Sequence, residues 1–176
     1  MSSLHICWSH GQESGPYGAK MSALSEVARH HSLQMIALDY RGMSDPRERV
    51  DRLVAHCRAI DAPIVLVGSS MGGYVSVATA AEIPVRGLFL LAPALYLPGL
   101  PSRDLVVSCE VITIVHGWRD AVIPPENSVQ FAKKHRASLH LIDGDHRLKT
   151  NIPELKNYFS DFLKSVAALG QGLKDV

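Results

Sequence analysis

Short apolar runs rich in β-branched residues alternate along the chain with longer stretches whose apolar positions recur at the helical period. That alternation predicts an α/β fold, a parallel sheet built from strand–helix–strand units. The predicted strands are Leu4–Ser9, Gln34–Asp39, Ile64–Ser69, Val85–Ala92, Val111–Gly117 and Leu139–Asp143. Several are apolar at consecutive positions, as in Ile64-Val65-Leu66-Val67, where a sheet with one wet face would alternate. Helices are therefore expected on both faces.

The helices follow from counting. Leu155, Tyr158, Phe159, Phe162, Leu163 and Val166 form one apolar stripe on a last helix expected to end near Gly170. Asp45-Pro46-Arg47-Glu48 reads as an N-cap, a first-position proline and a capping-box glutamate. The helix it opens carries Val50, Leu53, Val54 and Cys57 on one face. An earlier helix spans about Gly18 to His31, with Met21, Leu24, Val27 and Ala28 inward. Between Pro93 and Cys109 the cluster Pro98-Gly99-Leu100-Pro101 predicts loop and no full helix.

Composition then narrows the function classes. The 176 residues suit one domain, 1–176, and 47% hydrophobic with 20% charged residues excludes both a disordered chain and a membrane span. A formal charge of +1 leaves no field to hold a nucleic-acid backbone or an anionic membrane surface. Cys7, Cys57 and Cys109 are too scattered for a disulfide framework and read as small core residues. With no basic and apolar leader at the N-terminus, a cytoplasmic location is expected. None of the histidines makes an H-x-x-x-H pair with a nearby carboxylate on a predicted helix, so no metal site is expected. His10 and His116 lie in two H-G turns and are expected to bond within their own loops, and Lys133-Lys134-His135-Arg136 reads as a solvated helix end.

One motif carries chemistry. The strand Ile64–Ser69 runs into Gly68-Ser69-Ser70-Met71-Gly72-Gly73, a G-x-S-x-G centred on Ser70 and followed by a helical segment through Tyr74, Val75 and Ala78. That is the pattern of a nucleophile elbow, in which side chains two before and two after the serine would strike neighbouring backbone. An activated serine needs a base and a group to orient it, following in the order Ser, Asp/Glu, His at the ends of later strands. Asp120 stands just past the strand Val111–Gly117, and His146 just past Leu139–Asp143. Asp145 is the rival orienter and Asp143 a more distant one, but a residue adjacent to His146 in sequence usually points elsewhere.

The chain resembles the α/β-hydrolase superfamily, and within it the small lidless bacterial esterases. The resemblance rests on His10-Gly11-Gln12-Glu13-Ser14-Gly15-Pro16, which matches H-G-x-x-S-x-P, on Lys20 after it, on the elbow Val67 to Tyr74, on H-G-x-x-D-x-x-x-P around Asp120, and on the G-D-H ending in His146. It implies a trimmed fold of about six mostly parallel strands with no lid domain. It also implies an oxyanion hole made by the backbone N–H groups of Met71 and Gln12. The expected chemistry is hydrolysis of a small-molecule ester or thioester through an acyl-enzyme, with Ser70 as nucleophile, His146 as base, Asp120 as orienter and no cofactor. Leu95, Tyr96 and Leu97 are expected to wall a shallow acyl site, since the stretch from Pro93 to about Glu110 is too short to roof one. The competing expectation is a non-catalytic interaction module that keeps the fold, because fold alone does not determine function.

Overall fold

The computed structural model describes residues 4–101 and 104–169. The elements alternate as the hydrophobic pattern requires: β1 (His5–Ser9), α1 (Ala19–His30), β2 (Met35–Leu38), α2 (Pro46–Arg58), β3 (Ile64–Ser69), α3 (Met71–Glu82), β4 (Val85–Leu91), β5 (Cys109–Gly117), α4 (Pro125–His135), β6 (Ser138–Ile142) and α5 (Ile152–Leu169). The strands form one six-stranded sheet in the order β2-β1-β3-β4-β5-β6, and every neighbouring pair is parallel. No helix among the described residues is long and apolar enough to cross a membrane. The expected end of the last helix near Gly170 lies outside the described residues.

The consecutive apolar strand residues divide between two cores because successive side chains point to opposite faces. Leu66, Leu88 and Leu90 pack with α2, α3 and α4 on one face. Val65, Val67, Phe89 and Leu91 pack with α1 and α5 on the other. In α3 every residue from Gly72 to Ala80 is buried, since its small side chains let it lie close on the sheet. At the start of α2, the Asp45 carboxylate accepts the Arg47 N–H at 2.8 Å, with Pro46 in the first turn, as its capping signature predicts.

The differences from the sequence expectation are at strand ends. β5 begins at Cys109, two residues before Val111, because Cys109 pairs with Val85 and Glu110 forms a 3.0 Å ion pair with Arg86 of β4. A charged residue at 110 hides this extension from a hydrophobicity reading. The edge strands β2 and β6 are shorter or shifted by a residue relative to the apolar runs. Between β4 and β5 the described residues contain no helix, as the prolines predict. The run at the end of α4 is not simply solvated: Lys134 pairs with Asp104, and the His135 ring bonds the Leu105 carbonyl at 3.2 Å. These contacts hold the β4–β5 segment against α4 across a sequence separation that no local pattern reveals.

The order of strands places the chain reversal between β1 and β3, since β2 lies to one side of β1 and β3 to the other. Loops leaving the C-terminal ends of those two strands meet there, which is where open α/β sheets hold their sites.

Phe159 is the centre of the α5 face, fully buried, with Phe89 edge-on at 5.0 Å and Phe162 stacked at 6.0 Å. Phe159→Ala is expected to cost about 3–5 kcal/mol, because the cavity left between α5 and β4 cannot collapse. Urea denaturation checks it: the midpoint should fall with the slope unchanged.

Candidate active site

Ser70 sits between β3 and α3 with φ +55°, a left-handed conformation that a non-glycine residue adopts only when its surroundings hold it there. Its N–H donates to the Leu91 carbonyl at 2.9 Å, and its own carbonyl accepts from Gly73 and Ala94, each at 2.9 Å. The two glycines of the motif are required by close backbone approach. A Cβ on Gly68 would lie 2.3 Å from the Gly72 oxygen, and one on Gly72 only 1.9 Å from the Ser9 oxygen. β1 thus ends against the first turn of α3, and the loop after β1 is delivered to Ser70.

Asp120 and His146, separated by 26 residues, come together beside it. His146 Nδ1 lies 2.7 Å from Asp120 Oδ2, and His146 Nε2 lies 3.0 Å from Ser70 Oγ. A carboxylate only accepts, so Nδ1 carries the proton and Nε2 is left to accept from the serine hydroxyl. The Asp120 side chain is fully buried, while that of His146 is 20% exposed. Burial raises the Asp120 pKa, but the Ile123 N–H, the His146 ring and the Val122 N–H outweigh it, and the net direction is down. Its Oδ1 accepts the Val122 and Ile123 N–H groups, each at 2.8 Å. Asp145 is engaged elsewhere, accepting the Arg147 and Leu148 N–H groups at 3.0 and 2.9 Å, and Asp143 pairs with Arg119 at 2.7 Å.

A second histidine on the same carboxylate is the contact that sequence reasoning missed. His116, fully buried in β5, places Nε2 2.9 Å from Asp120 Oδ2 and 3.1 Å from the Ile123 carbonyl. Both partners only accept, so Nε2 is protonated, and Nδ1 accepts the Ser128 hydroxyl at 2.7 Å. Burial holds this imidazole below the ordinary histidine value, against the pull of Asp120. His116 therefore supports Asp120 as a neutral donor and reaches beyond its own loop to α4. The i, i+4 spacing of His116 and Asp120 was the available signal, but it spans a strand end and a turn.

On the β1 side, His10 donates from Nδ1 to the Gly11 carbonyl at 2.7 Å, while its Nε2 accepts the Tyr40 N–H at 2.9 Å. Its first bond lies within its own loop, and the second ties that loop to the end of β2. Gly11 abuts the elbow, since a Cβ there would lie 3.5 Å from that of Ser70. Gln12 follows it on an exposed turn, and Met71 is the first residue of α3, half-buried against the core. Lys20 on α1 donates from Nζ to Ser69 Oγ at 2.7 Å. Burial brings its pKa down to about 8, with Asp145 and Asp120 opposing that fall. Leu95 is only 3% exposed and packs into the core. Tyr96 and Leu97 lie half-buried against the same core, Tyr96 with φ +57°.

The comparisons with known proteins agree with this architecture. The alpha/beta hydrolase family matches residues 5–170. A candidate hydrolase of the alpha/beta superfamily from Xanthomonas campestris pv. campestris is 34% identical, with a TM-score of 0.84 over 92% of this chain and 98% of that one. Est1E from Butyrivibrio proteoclasticus has the same fold at 17% identity and a TM-score of 0.79, over 95% of this chain and 89% of its own. An esterase from Pyrococcus furiosus aligns at 18% identity and a TM-score of 0.77, over 93% of this chain and 83% of that one. No match was found among curated proteins.

The depressed Lys20 makes a signed prediction. Between about 8 and the ordinary lysine value of 10.5, the unfolded chain binds a proton at this position that the folded chain does not. Unfolding free energy from this group therefore rises with pH across that window and is flat below it. Denaturation of wild type and Lys20→Met at pH 7, 8, 9 and 10 should show their difference shifting in favour of wild type as pH rises.

Proposed function

The chain belongs to the alpha/beta hydrolase family, and from that premise we propose that it is a serine hydrolase cleaving carboxylic or thio esters of short acyl groups through an acyl-enzyme. The observation that carries this reading is the unbroken line from Ser70 Oγ through the two nitrogens of His146 to Asp120 Oδ2, at 3.0 and 2.7 Å. Both distances are hydrogen-bond contacts in the geometry that lets imidazole take the serine proton.

In the acylation step, Ser70 Oγ bonds to the acyl carbon as its proton passes to His146 Nε2. Asp120 stabilises the imidazolium, and its other hydrogen bonds keep it ionised while it does so. The N–H groups of Met71 and Gln12 are the proposed donors to the oxyanion, helped by the positive end of α3. His146 then gives its proton to the departing alcohol or thiol. Water repeats the sequence: His146 takes its proton, the hydroxyl attacks the acyl carbon, and Ser70 leaves with the proton returned. No cofactor enters these steps.

The short-acyl preference follows from the segment between β4 and β5. Leu95 is spent in the core, which leaves Tyr96 and Leu97 to offer partial apolar surface near the site. Each buried CH₂ contributes about 0.8 kcal/mol, so discrimination should rise over the first few carbons and stop where further carbons remain in water.

Ser70→Ala should abolish labelling by a fluorophosphonate and lower ester turnover by several orders of magnitude, with the circular dichroism unchanged. A folded variant keeping half its activity would refute the nucleophile assignment. Asp120→Asn should cost far more activity than Asp145→Asn, because it favours the wrong His146 tautomer; the opposite ranking would move the orienting role to Asp145. Across nitrophenyl esters, kcat/KM should level or fall beyond roughly six to eight acyl carbons, whereas a steady rise through the C16 ester would contradict an open acyl site.

A further inference from the structure

At the end of the sheet opposite Ser70, β1 and α2 bring together donor atoms from two distant parts of the chain. His5 and Cys7 occupy alternate positions of β1 and share one face of it, while His56 and Cys57 are neighbours in the last turn of α2. His5 Nε2 and His56 Nε2 are 3.1 Å apart, and these two atoms and Cys7 Sγ all lie within 4.8 Å of one another. Cys57, on the α2 side, is the thiol neighbouring Cys7. Cys7 and Cys57 are buried, and the two histidines are half-buried.

We propose that His5, Cys7 and His56 form a zinc site that clamps the start of β1 to the end of α2.

The geometry favours zinc on three counts. Two nitrogens bound to one tetrahedral Zn²⁺ at about 2.0–2.1 Å must stand about 3.3 Å apart, and the imidazole pair is already close to that spacing. The donor set of two imidazoles and one thiol suits zinc, and its soft sulfur disfavours magnesium and calcium. A surface hollow lined by Leu4, His5, Ser32, Gln34, Ile36 and Ala62 opens onto His5 and gives the ion a route in.

The proton balance is simple. With both rings neutral, one Nε2–H donates to the other Nε2; on metal binding the donating ring loses its Nε2 proton to solvent and takes one up on Nδ1, so both Nε2 lone pairs reach the ion. Burial and the neighbouring His56 hold His5 below the ordinary histidine value, which keeps that ring neutral. The neighbouring Cys57 thiol and burial push the Cys7 thiol up, so its proton stays until zinc displaces it to solvent. The spacing escapes motif searches because the H-x-C pair on a strand and the histidine on a helix lie far apart in sequence.

The test is zinc binding by the full chain, chelator-stripped and kept reduced, measured by competition with a chromophoric chelator and, with Co²⁺ as probe, by the thiolate-to-cobalt charge-transfer band. One equivalent should bind, the band should form, and the ion should raise Tm. His56→Gln and Cys7→Ser should each weaken binding by at least the roughly 10–100-fold that even outer-shell partners are worth, and remove the Tm gain. His146→Ala should bind as wild type does. If Cys7→Ser does not fold, His5→Gln and His56→Gln, both half-buried, decide the matter. The proposal is overturned if wild type binds no stoichiometric zinc, if the folded variants bind it unchanged, or if binding is lost in His146→Ala, which would place the ion on Asp120 and His146.

Discussion

The Ser9 carbonyl occupies the space where a side chain on residue 72 would begin, and the rest of the site depends on that approach. Only glycine at 72 lets α3 start so close to the end of β1. The consequence is double. The loop that leaves β1 through His10 and Gly11 is pressed against Ser70, and the elbow between Gly68 and Gly72 is closed too tightly for Ser70 to relax out of its positive φ. Hydrogen bonds to the Leu91 carbonyl at the end of β4 and from the Ala94 N–H just beyond it complete the restraint. A strained residue persists where its surroundings over-determine it, and here the surroundings are a fully buried helix and the middle of the sheet.

The second constraint is a charge kept out of water. Asp120 has no exposed side-chain surface, so its ionised form needs donors on both oxygens, and four are supplied: two backbone N–H groups on Oδ1 and two imidazoles on Oδ2. The two rings have different duties. His116, neutral and fully buried, has a partner on each nitrogen and cannot move without orphaning one. His146 is partly exposed and turns its free nitrogen to Ser70. Burial of the first histidine thus keeps the orientation of the second uniform, in a setting where an unpaired donor would cost a few kcal/mol.

β1 links the two ends of the molecule. Its last residues abut the elbow, and its first carry His5 and Cys7 to the end of α2, so a fastening at the base of the strand would also restrain the loop at its top. α2 spans the same distance, from the Asp45 cap near Tyr40 to His56 and Cys57.

Local physics written into consecutive residues determined much of this protein. Apolar runs bounded by turns specified six strands, the 3.6-residue period specified the faces of α1, α2 and α5, and G-x-S-x-G marked the one turn that needs two glycines. The order Ser70, Asp120, His146 was legible because strands in a parallel sheet all end on one side. Tertiary structure alone decided contacts between segments distant in the chain. It set Asp120 against His146 while Asp145 caps its own turn, seated His116 beneath Asp120, buried Leu95 in the core, extended β5 to Cys109 through pairing with β4, and set His5 against His56. Periodicity reports which face a residue occupies; only the packing of one element on another says which atoms on that face will touch.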